Sequence, residues 1–224
     1  LGMKKLLVLM VLAGISLSLS ATYRYSVAYG VRNNSQVEDN HFFLMEGESD
    51  RFSFTFMETG GEAITFDSEY RGEFSSVFSW DTGVTFNYFS SGTISLMMKG
   101  NLNGNYGTES VNLDFGLGAQ AAVVKYKYLE SPLFSLSPLL NIVLNLRVND
   151  NSFSFGMMMD MKYERQFKAV ETIFISSRLD ITPTFSLTLD VWGRGAEYLM
   201  DPWLNIQGHG IVLKFTVSGE ESDV

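Results

Sequence analysis

Residues 152–164 separate into two classes of side chain at a period of two, and this pattern constrains the fold more than any other feature of the sequence. Large apolar residues occupy the odd-numbered positions, and small or charged residues occupy the even-numbered ones apart from Met158. Successive side chains of a β-strand point to opposite faces, so the pattern predicts a strand. In a helix, Asp160, Lys162 and Glu164 would be spread around the axis and no apolar stripe would remain.

The same alternation recurs through most of the chain after residue 21. Clear examples are residues 22–32, 111–123, 140–148 and 185–192. Strand-like segments at nearly even spacing, joined by short connections, predict an all-β fold with an antiparallel up-and-down sheet. Strands of roughly 9 to 11 residues would allow about 10 to 12 of them, whereas longer strands would reduce the number to about eight. We therefore expect about 8 to 12 strands.

Parity predicts the strand pairing around residues 60–62. Large apolar residues lie at even-numbered positions on both sides of this Gly-Gly-Glu segment. A three-residue connection keeps both sets on one face, whereas a two-residue turn would separate them. We therefore expect Phe56 to pair with Phe66. The same register pairs Phe52 with Tyr70.

Three further segments are read from their composition and parity. Residues 74–88 fit either a hairpin that turns at residues 81–83 or one continuous strand, and both interpretations stay open. Residues 33–40 are polar, and residues 101–107 are rich in Asn and Gly. Such composition is typical of loops, so both segments are expected to connect strands.

Residues 1–21 have the three-part form of a secretory signal peptide. Lys4 and Lys5 precede an apolar run, and small residues follow it. The apolar run is shorter than the roughly 20 residues that a membrane-spanning helix needs. We therefore divide the chain into a signal peptide at residues 1–21, a β-barrel at residues 22–218 and an acidic tail at residues 219–224.

The charge of the chain excludes one class of partner. The net charge is −9, and it becomes −11 without residues 1–21, which contain two lysines and no acidic residue. A basic nucleic-acid surface is incompatible with this balance, so no nucleic-acid partner is expected. Charged residues make up 18% of the chain, against roughly 25% in ordinary globular proteins. Charged side chains therefore cover less of the surface of this chain than they do in a soluble protein.

Side-chain volume indicates which face meets water. A barrel of about eight strands has an interior only just filled by side chains of ordinary size. The apolar face of this chain is too large for that space, whereas its small polar face fits. With the apolar face toward lipid, the chain forms a transmembrane β-barrel. A soluble two-sheet sandwich could also bury a large apolar face, but the signal peptide and the low charge argue against it.

The transmembrane interpretation assigns residues to three environments. Those expected to face the lumen are Asp114, Arg147, Asp160, Lys162, Glu164, Asp190 and Lys214. Those expected to face lipid are Phe153, Phe155, Met157, Met159 and Met161. Aromatic residues expected at the membrane interface, which such side chains prefer, are Tyr23, Tyr88, Tyr163, Trp192 and Trp203.

The last strand carries Gly210, Leu213 and Phe215, which are spaced like an outer-membrane assembly signal. With the signal peptide and the alternation along the whole chain, this makes the sequence resemble the small bacterial outer-membrane β-barrels of the OmpX and OmpW type. The resemblance implies a Gram-negative-type outer membrane and insertion by the barrel-assembly machinery. That family ends on an aromatic residue, whereas residues 219–224 add an acidic tail. The tail indicates either a different recognised strand or a lineage with a looser rule, such as the spirochaetes.

The sequence contains no pattern typical of catalysis or metal binding. Barrel lipases and deacylases of the outer membrane use a His with a Ser two residues on, but Phe43 follows His41 and Ile211 follows His209 at that spacing. With no cysteine and no close pair of histidines, a zinc site lacks its usual ligands. We expect no enzymatic activity, no metal and no cofactor.

The charges on the polar face leave two kinds of lumen open. Pairing across the lumen would plug the barrel, and water between the charges would leave a pore. Mixed signs at low density favour a narrow or plugged lumen. We predict a small porin or conduit for small or hydrophobic solutes. The alternatives are an interaction protein whose surface loops bind host ligands and a soluble periplasmic β-protein. The expected partners are outer-membrane lipid, the barrel-assembly machinery, and small solutes or host ligands.

Overall fold

The computed structural model describes residues 22–34, 37–61, 63–163, 167–194 and 208–220. Twelve strands lie within these residues, and no α-helix does. No helix there is long and apolar enough to cross a membrane. The strands are β1 (Thr22–Asn34), β2 (Val37–Ser49), β3 (Phe52–Thr59), β4 (Ala63–Glu73), β5 (Phe78–Phe89), β6 (Ile94–Gly107), β7 (Val111–Lys125), β8 (Leu133–Val148), β9 (Asn151–Tyr163), β10 (Phe167–Thr182), β11 (Phe185–Arg194) and β12 (Gly208–Glu220).

The strands form one closed barrel in which each strand pairs with its sequence neighbours and β12 returns to β1. All pairs are antiparallel, and the closing pair places Thr22 opposite Glu220 and Asn34 opposite Gly208. Closure pairs the two edge strands that an open sheet would expose. The prediction of an all-β, antiparallel up-and-down transmembrane barrel is confirmed, and the sandwich alternative is excluded.

Strand number separates this barrel from the family that its sequence resembles. Twelve described strands stand at the upper end of the expected range. OmpX-type barrels have about eight. The likeness therefore holds for outer-membrane barrels in general, and the assignment to the OmpX and OmpW type is wrong, because this chain has too many strands.

The pairing predicted around residues 60–62 is confirmed. Phe56 lies opposite Phe66, and Phe52 lies opposite Tyr70. Gly60 and Gly61 have φ angles of 48° and 74°, in the left-handed region that glycine adopts at little cost. Residues 78–89 form the single strand β5, so the two interpretations of residues 74–88 resolve in favour of a continuous strand.

Two segments expected to be loops belong to strands instead. Residues 37–40 open β2, and residues 101–107 complete β6. In β6 the side chains of Asn101, Asn103 and Asn105 all reach acidic residues of the inner face. Their alternation is therefore a strand pattern, because amides can point into a polar lumen without ending the strand.

The two ends of the chain bear on the predicted domain boundaries. β12 extends to Glu220, so the first two residues of the expected acidic tail pair with β1. Residues 221–224 and the expected signal peptide at residues 1–21 lie outside the described residues.

The outer surface of the barrel is apolar and the inner surface is mostly small or polar. In β7, Phe115 and Leu117 are 42% and 63% exposed, whereas Gly116 between them is buried. A small apolar cluster lies on the inner face instead, where Ala28, Phe42 and Val212 are buried. An apolar exterior around a polar interior is the arrangement expected of a barrel surrounded by lipid.

Candidate functional site

The interior of the barrel holds a cavity of about 890 Å³. It is bordered by β1–β4 and β8–β12 and is open rather than enclosed. A second cavity, of about 450 Å³, lies against β4–β10. Met158 and Thr172 border both cavities, so the two spaces meet at β9 and β10.

The inner surface consists of two unlike walls. We call β4–β8 the polar wall, because its inward side chains are mainly amides, carboxylates and glycines along the whole strand. We call β9–β12 with β1–β3 the graded wall. Its described inward side chains are polar near the end of the barrel that holds Thr22 and Glu220, termed the terminal end, and become apolar in the direction of the other end, termed the loop end.

The gradient is clearest on three neighbouring strands of the graded wall. From the terminal end toward the loop end, the inward residues are Arg178, Ser176 and Phe174 on β10, Thr188, Asp190 and Trp192 on β11, and Lys214, Val212 and Gly210 on β12. The register aligns these rows, because Phe174 lies opposite Trp192 and Ser176 lies opposite Asp190.

Ion pairs compensate most of the charges of the graded wall. Arg24 on β1, and Arg71 on the adjoining strand β4 of the polar wall, both contact the Glu48 carboxylate, at 3.3 and 3.2 Å. Lys214 Nζ lies 2.7 Å from a Glu46 carboxylate oxygen. Arg178 donates to the Asp180 carboxylate on the same strand at 2.7 Å. These charges form local pairs and leave no strong net field of one sign.

The polar wall fixes its carboxylates with amides and one lysine. Asp81 accepts hydrogen bonds from Asn101 and Asn103, at 2.6 and 2.5 Å. Asp114 accepts from the side-chain amides of Asn105 and Asn145. Lys99 Nζ lies 3.2 Å from Glu69 and 3.7 Å from Asp67. Asp67, Glu69, Asp81 and Asp114 are therefore each held by a neighbouring side chain.

The structure places four of the seven predicted lumen residues on the inner face of the barrel. Asp114 belongs to the polar wall, Lys214 and Asp190 border the 890 Å³ cavity, and Arg147 lies opposite Ser152 near the terminal end. Asp160 and Lys162 lie on β9, but their side chains are outside the described part, and so is Glu164 altogether.

The predicted lipid-facing residues lie on β9 at the positions that alternate with the lumen-lining Ser152 and Ser154. Phe155 is 43% exposed. Met159 also borders the 450 Å³ cavity. The other predicted members are Phe153 and Met157, which share this face, and Met161, whose side chain is outside the described part.

The predicted interface aromatics lie in unlike places. Tyr23 packs against Gly219 at the terminal end, and Tyr88 is exposed near the end of β5. Trp192 borders the 890 Å³ cavity on the inner face of β11. The side chain of Tyr163 and the whole of Trp203 lie outside the described residues.

Sequence reasoning overlooked several lumen residues. Glu46, Glu48 and Arg71 were not singled out, although all three form ion pairs in the lumen. Phe174 was also missed. Its parity with Ser176 on β10 was a usable signal, because both residues fall on the less apolar face of that strand.

The described residues contain no group of three or more His, Asp or Glu side chains that could hold a metal ion. His41 bonds to the Tyr29 hydroxyl on the outer surface instead. The candidate site is an open cavity inside the barrel, bordered by charged side chains, hydroxyls and the aromatic residues Phe54, Phe174 and Trp192.

Comparison with known proteins identifies the fold. No protein-family model matches the chain, and no curated protein matches it. Among solved structures, the NanC porin superposes with a TM-score of 0.59 at 9% identity, covering 86% of this chain and 98% of that chain. The KdgM porin in complex with disordered oligogalacturonate gives 0.57 at 11% identity, covering 87% and 99%.

A third similar structure is the β domain of the Bordetella autotransporter BrkA, with a TM-score of 0.57 at 7% identity, covering 89% of this chain and all of that one. Identities this low establish the fold alone. That fold is the closed antiparallel barrel of outer-membrane porins and autotransporter β domains.

Proposed function

We propose that this chain is a passive channel of a bacterial outer membrane, which admits small solutes through its lumen. The observation that carries the proposal is the direction of the ion pairs. Every described ion pair of the lumen joins residues on one strand, on neighbouring strands or on strands separated by one other. Charges that pair along the wall leave the centre free, whereas pairs across the lumen would plug it.

The cavity supports the same function. A passage of about 890 Å³ bordered by hydroxyls and charged groups holds water and small polar solutes, because its lining can replace their hydrogen bonds. The likeness in fold to NanC and KdgM supports a channel. The KdgM structure contains oligogalacturonate, and we extend to this chain only the broad class of small solutes.

The remaining expectations follow from this proposal. Residues 1–21 direct export, the barrel-assembly machinery inserts the chain, and the apolar face of β9 contacts lipid. The polar residues expected in the lumen, including Asp160, Lys162 and Glu164, line the passage. Binding of host ligands by surface loops stays a prediction, because residues 164–166 and 195–207 lie outside the described part.

Adjacent serines on β10 give a direct test. Ser176 borders the cavity, and Ser177 lies on the opposite face. The chain has no cysteine, so Ser176→Cys and Ser177→Cys each create one thiol. We expect a positively charged methanethiosulfonate reagent to lower the single-channel conductance of Ser176→Cys in planar bilayers and to leave that of Ser177→Cys unchanged.

Folding and labelling are verified separately, by heat-modifiable migration on a gel and by mass spectrometry. A folded wild-type barrel that gives no conductance would contradict the channel. Equal loss of conductance after labelling of both variants would show that current does not pass along the assigned inner face.

A further inference from the structure

Two aromatic side chains lie side by side on the graded wall, each against a glycine of the next strand. Phe174 lies opposite Trp192, with Gly156 beyond the first and Gly210 beyond the second. A Cβ atom built on Gly210 would lie 2.5 Å from the Trp192 ring, and one on Gly156 would meet the Phe174 ring. The rings therefore lean over the glycines along the wall and in opposite directions. We call these four residues the aromatic row.

A row of hydrogen-bonding groups lies next to it, one inward position closer to the terminal end. Ser154, Ser176 and Asp190 occupy adjacent strands there, and we call them the polar row. All three border the 890 Å³ cavity, as do Phe174 and Trp192. Ser154 donates to Asn145, whereas Ser176 and Asp190 have no side-chain hydrogen bond or ion pair with any described residue.

An unpaired carboxylate beside flat aromatic faces matches one class of solute. A pyranose sugar has C–H groups on the faces of its ring and hydroxyls around the edge. The C–H groups pack on the electron-rich face of an aromatic ring. Neighbouring hydroxyls donate to the two oxygens of a carboxylate, which only accepts hydrogen bonds. The aromatic row supplies the first surface and the polar row supplies the second.

Charge decides between neutral and acidic sugars. Lys214 and Arg178, two cations of the graded wall close to the polar row in register, are already paired with Glu46 and Asp180. Among the described side chains of the graded wall, Asp190 is the charge without a described partner, and it repels a sugar that carries a carboxylate. We propose that the two rows form a binding site for uncharged pyranose sugars within the lumen. This inference rests on the proposed channel function and specifies its substrate class.

Sugar binding is measured as block of the ion current through single channels. Maltotriose serves as the neutral probe and trigalacturonate as the acidic one, each added to wild-type protein in planar bilayers. We expect maltotriose to interrupt the current at lower concentration than trigalacturonate does. Trp192→Leu keeps an apolar side chain but removes the aromatic face, so it should weaken the maltotriose block roughly three- to tenfold.

Trp80 provides a matched control. Its ring covers Gly72 on the outer face of the barrel, at 2.7 Å from a Cβ built there, as Trp192 covers Gly210 on the inner face. Trp80→Leu should leave the block unchanged. If Trp192→Leu does not fold, Asp190→Asn replaces it, because this change removes the charge at nearly constant size. Asp190→Asn should weaken the maltotriose block and strengthen the trigalacturonate block.

The outcomes separate this inference from the channel itself. Normal conductance without any maltotriose block overturns the sugar site and leaves the channel standing, whereas a folded barrel without conductance overturns both. Stronger block by trigalacturonate than by maltotriose overturns the assignment to neutral sugars. Equal weakening by Trp80→Leu and Trp192→Leu shows that the tryptophans act on barrel structure and not on the sugar.

Discussion

The polar wall and the graded wall cover inward glycines with different side chains. On the polar wall, Gly118 lies beneath the Asn101 amide. On the graded wall, Gly156 and Gly210 lie beneath the rings of Phe174 and Trp192. A glycine lets a flat side chain rest against the backbone, so both walls widen the lumen by the same means. The difference is that an amide can also hold a carboxylate in place, whereas a ring leaves its neighbouring carboxylate free.

The largest expected effect comes from filling the space over Gly118. A methyl group there meets the Asn101 side chain and the main-chain carbonyl oxygen of Gly100, and the main chain cannot rotate away. We expect Gly118→Ala to lower the free energy of unfolding by about 3 kcal/mol. Urea-induced unfolding from lipid vesicles, followed by tryptophan fluorescence, measures this change.

Gly210→Ala is the corresponding change on the graded wall. The atoms that it meets belong to the Trp192 ring, which can shift into the open lumen, so a smaller loss of about 1 to 2 kcal/mol is expected. Gly100→Ala is the control, because the nearest atom to its added methyl group lies 3.9 Å away. A larger loss of unfolding free energy for Gly210→Ala than for Gly118→Ala would contradict this contrast. It would show that the Trp192 ring yields less than the atoms over Gly118.

Removal of one carboxylate from each wall gives the next effect. Asp81 is 9% exposed and holds two amides, which lose their acceptor in Asp81→Ala. The expected loss of unfolding free energy is about 2 kcal/mol, measured in the same urea experiment. Asp190→Ala is the matched variant and should be close to neutral, because no described side chain depends on Asp190. Similar losses for both variants would contradict the distinction between held and free carboxylates.

The smallest effect on stability is expected at Glu48. Its partners Arg24 and Arg71 are nearly half exposed, so Glu48→Gln should cost less than about 1 kcal/mol. The same change leaves Arg24 of the graded wall and Arg71 of the adjoining strand β4 uncompensated. The reversal potential in a potassium chloride gradient should therefore move toward anion selectivity. Asp81→Asn on the polar wall provides a charge-matched comparison, and an equal shift there would show that ions do not distinguish the walls.

Local patterns in the sequence account for the strands and for part of their pairing. Phe56 meets Phe66 as predicted because parity and a glycine turn together fix the register of a hairpin. Residues 101–107 were assigned wrongly because Asn and Gly are typical of loops in proteins whose strands pack on an apolar core. In a barrel with a wet interior, Asn101 and Asn103 satisfy the inner face of a strand.

Contacts between strands that are not sequence neighbours could not be predicted from the sequence. Arg71 meets Glu48 across β3, and such a contact depends on how far each strand is staggered when the barrel closes. The strand number was uncertain for a related reason, since composition does not separate a long strand from a short strand with a loop. The inward position of Trp192 follows from its parity with Asp190, whereas the preference of tryptophan for membrane interfaces pointed elsewhere.

The bond between Lys214 and Glu46 has a consequence for the order of assembly. It reaches over β1 and ties the last strand to the second one, while the hydroxyls of Ser26 and Thr216 join β1 and β12 by a hydrogen bond of 2.9 Å. These contacts join the two ends of the chain and have the longest loop to close, so they form after the hairpins. Once made, these contacts link β12, β1 and β2 and secure the closed barrel. In a nascent sheet that lacked them, thermal fraying of β1 would be enough to keep the barrel open.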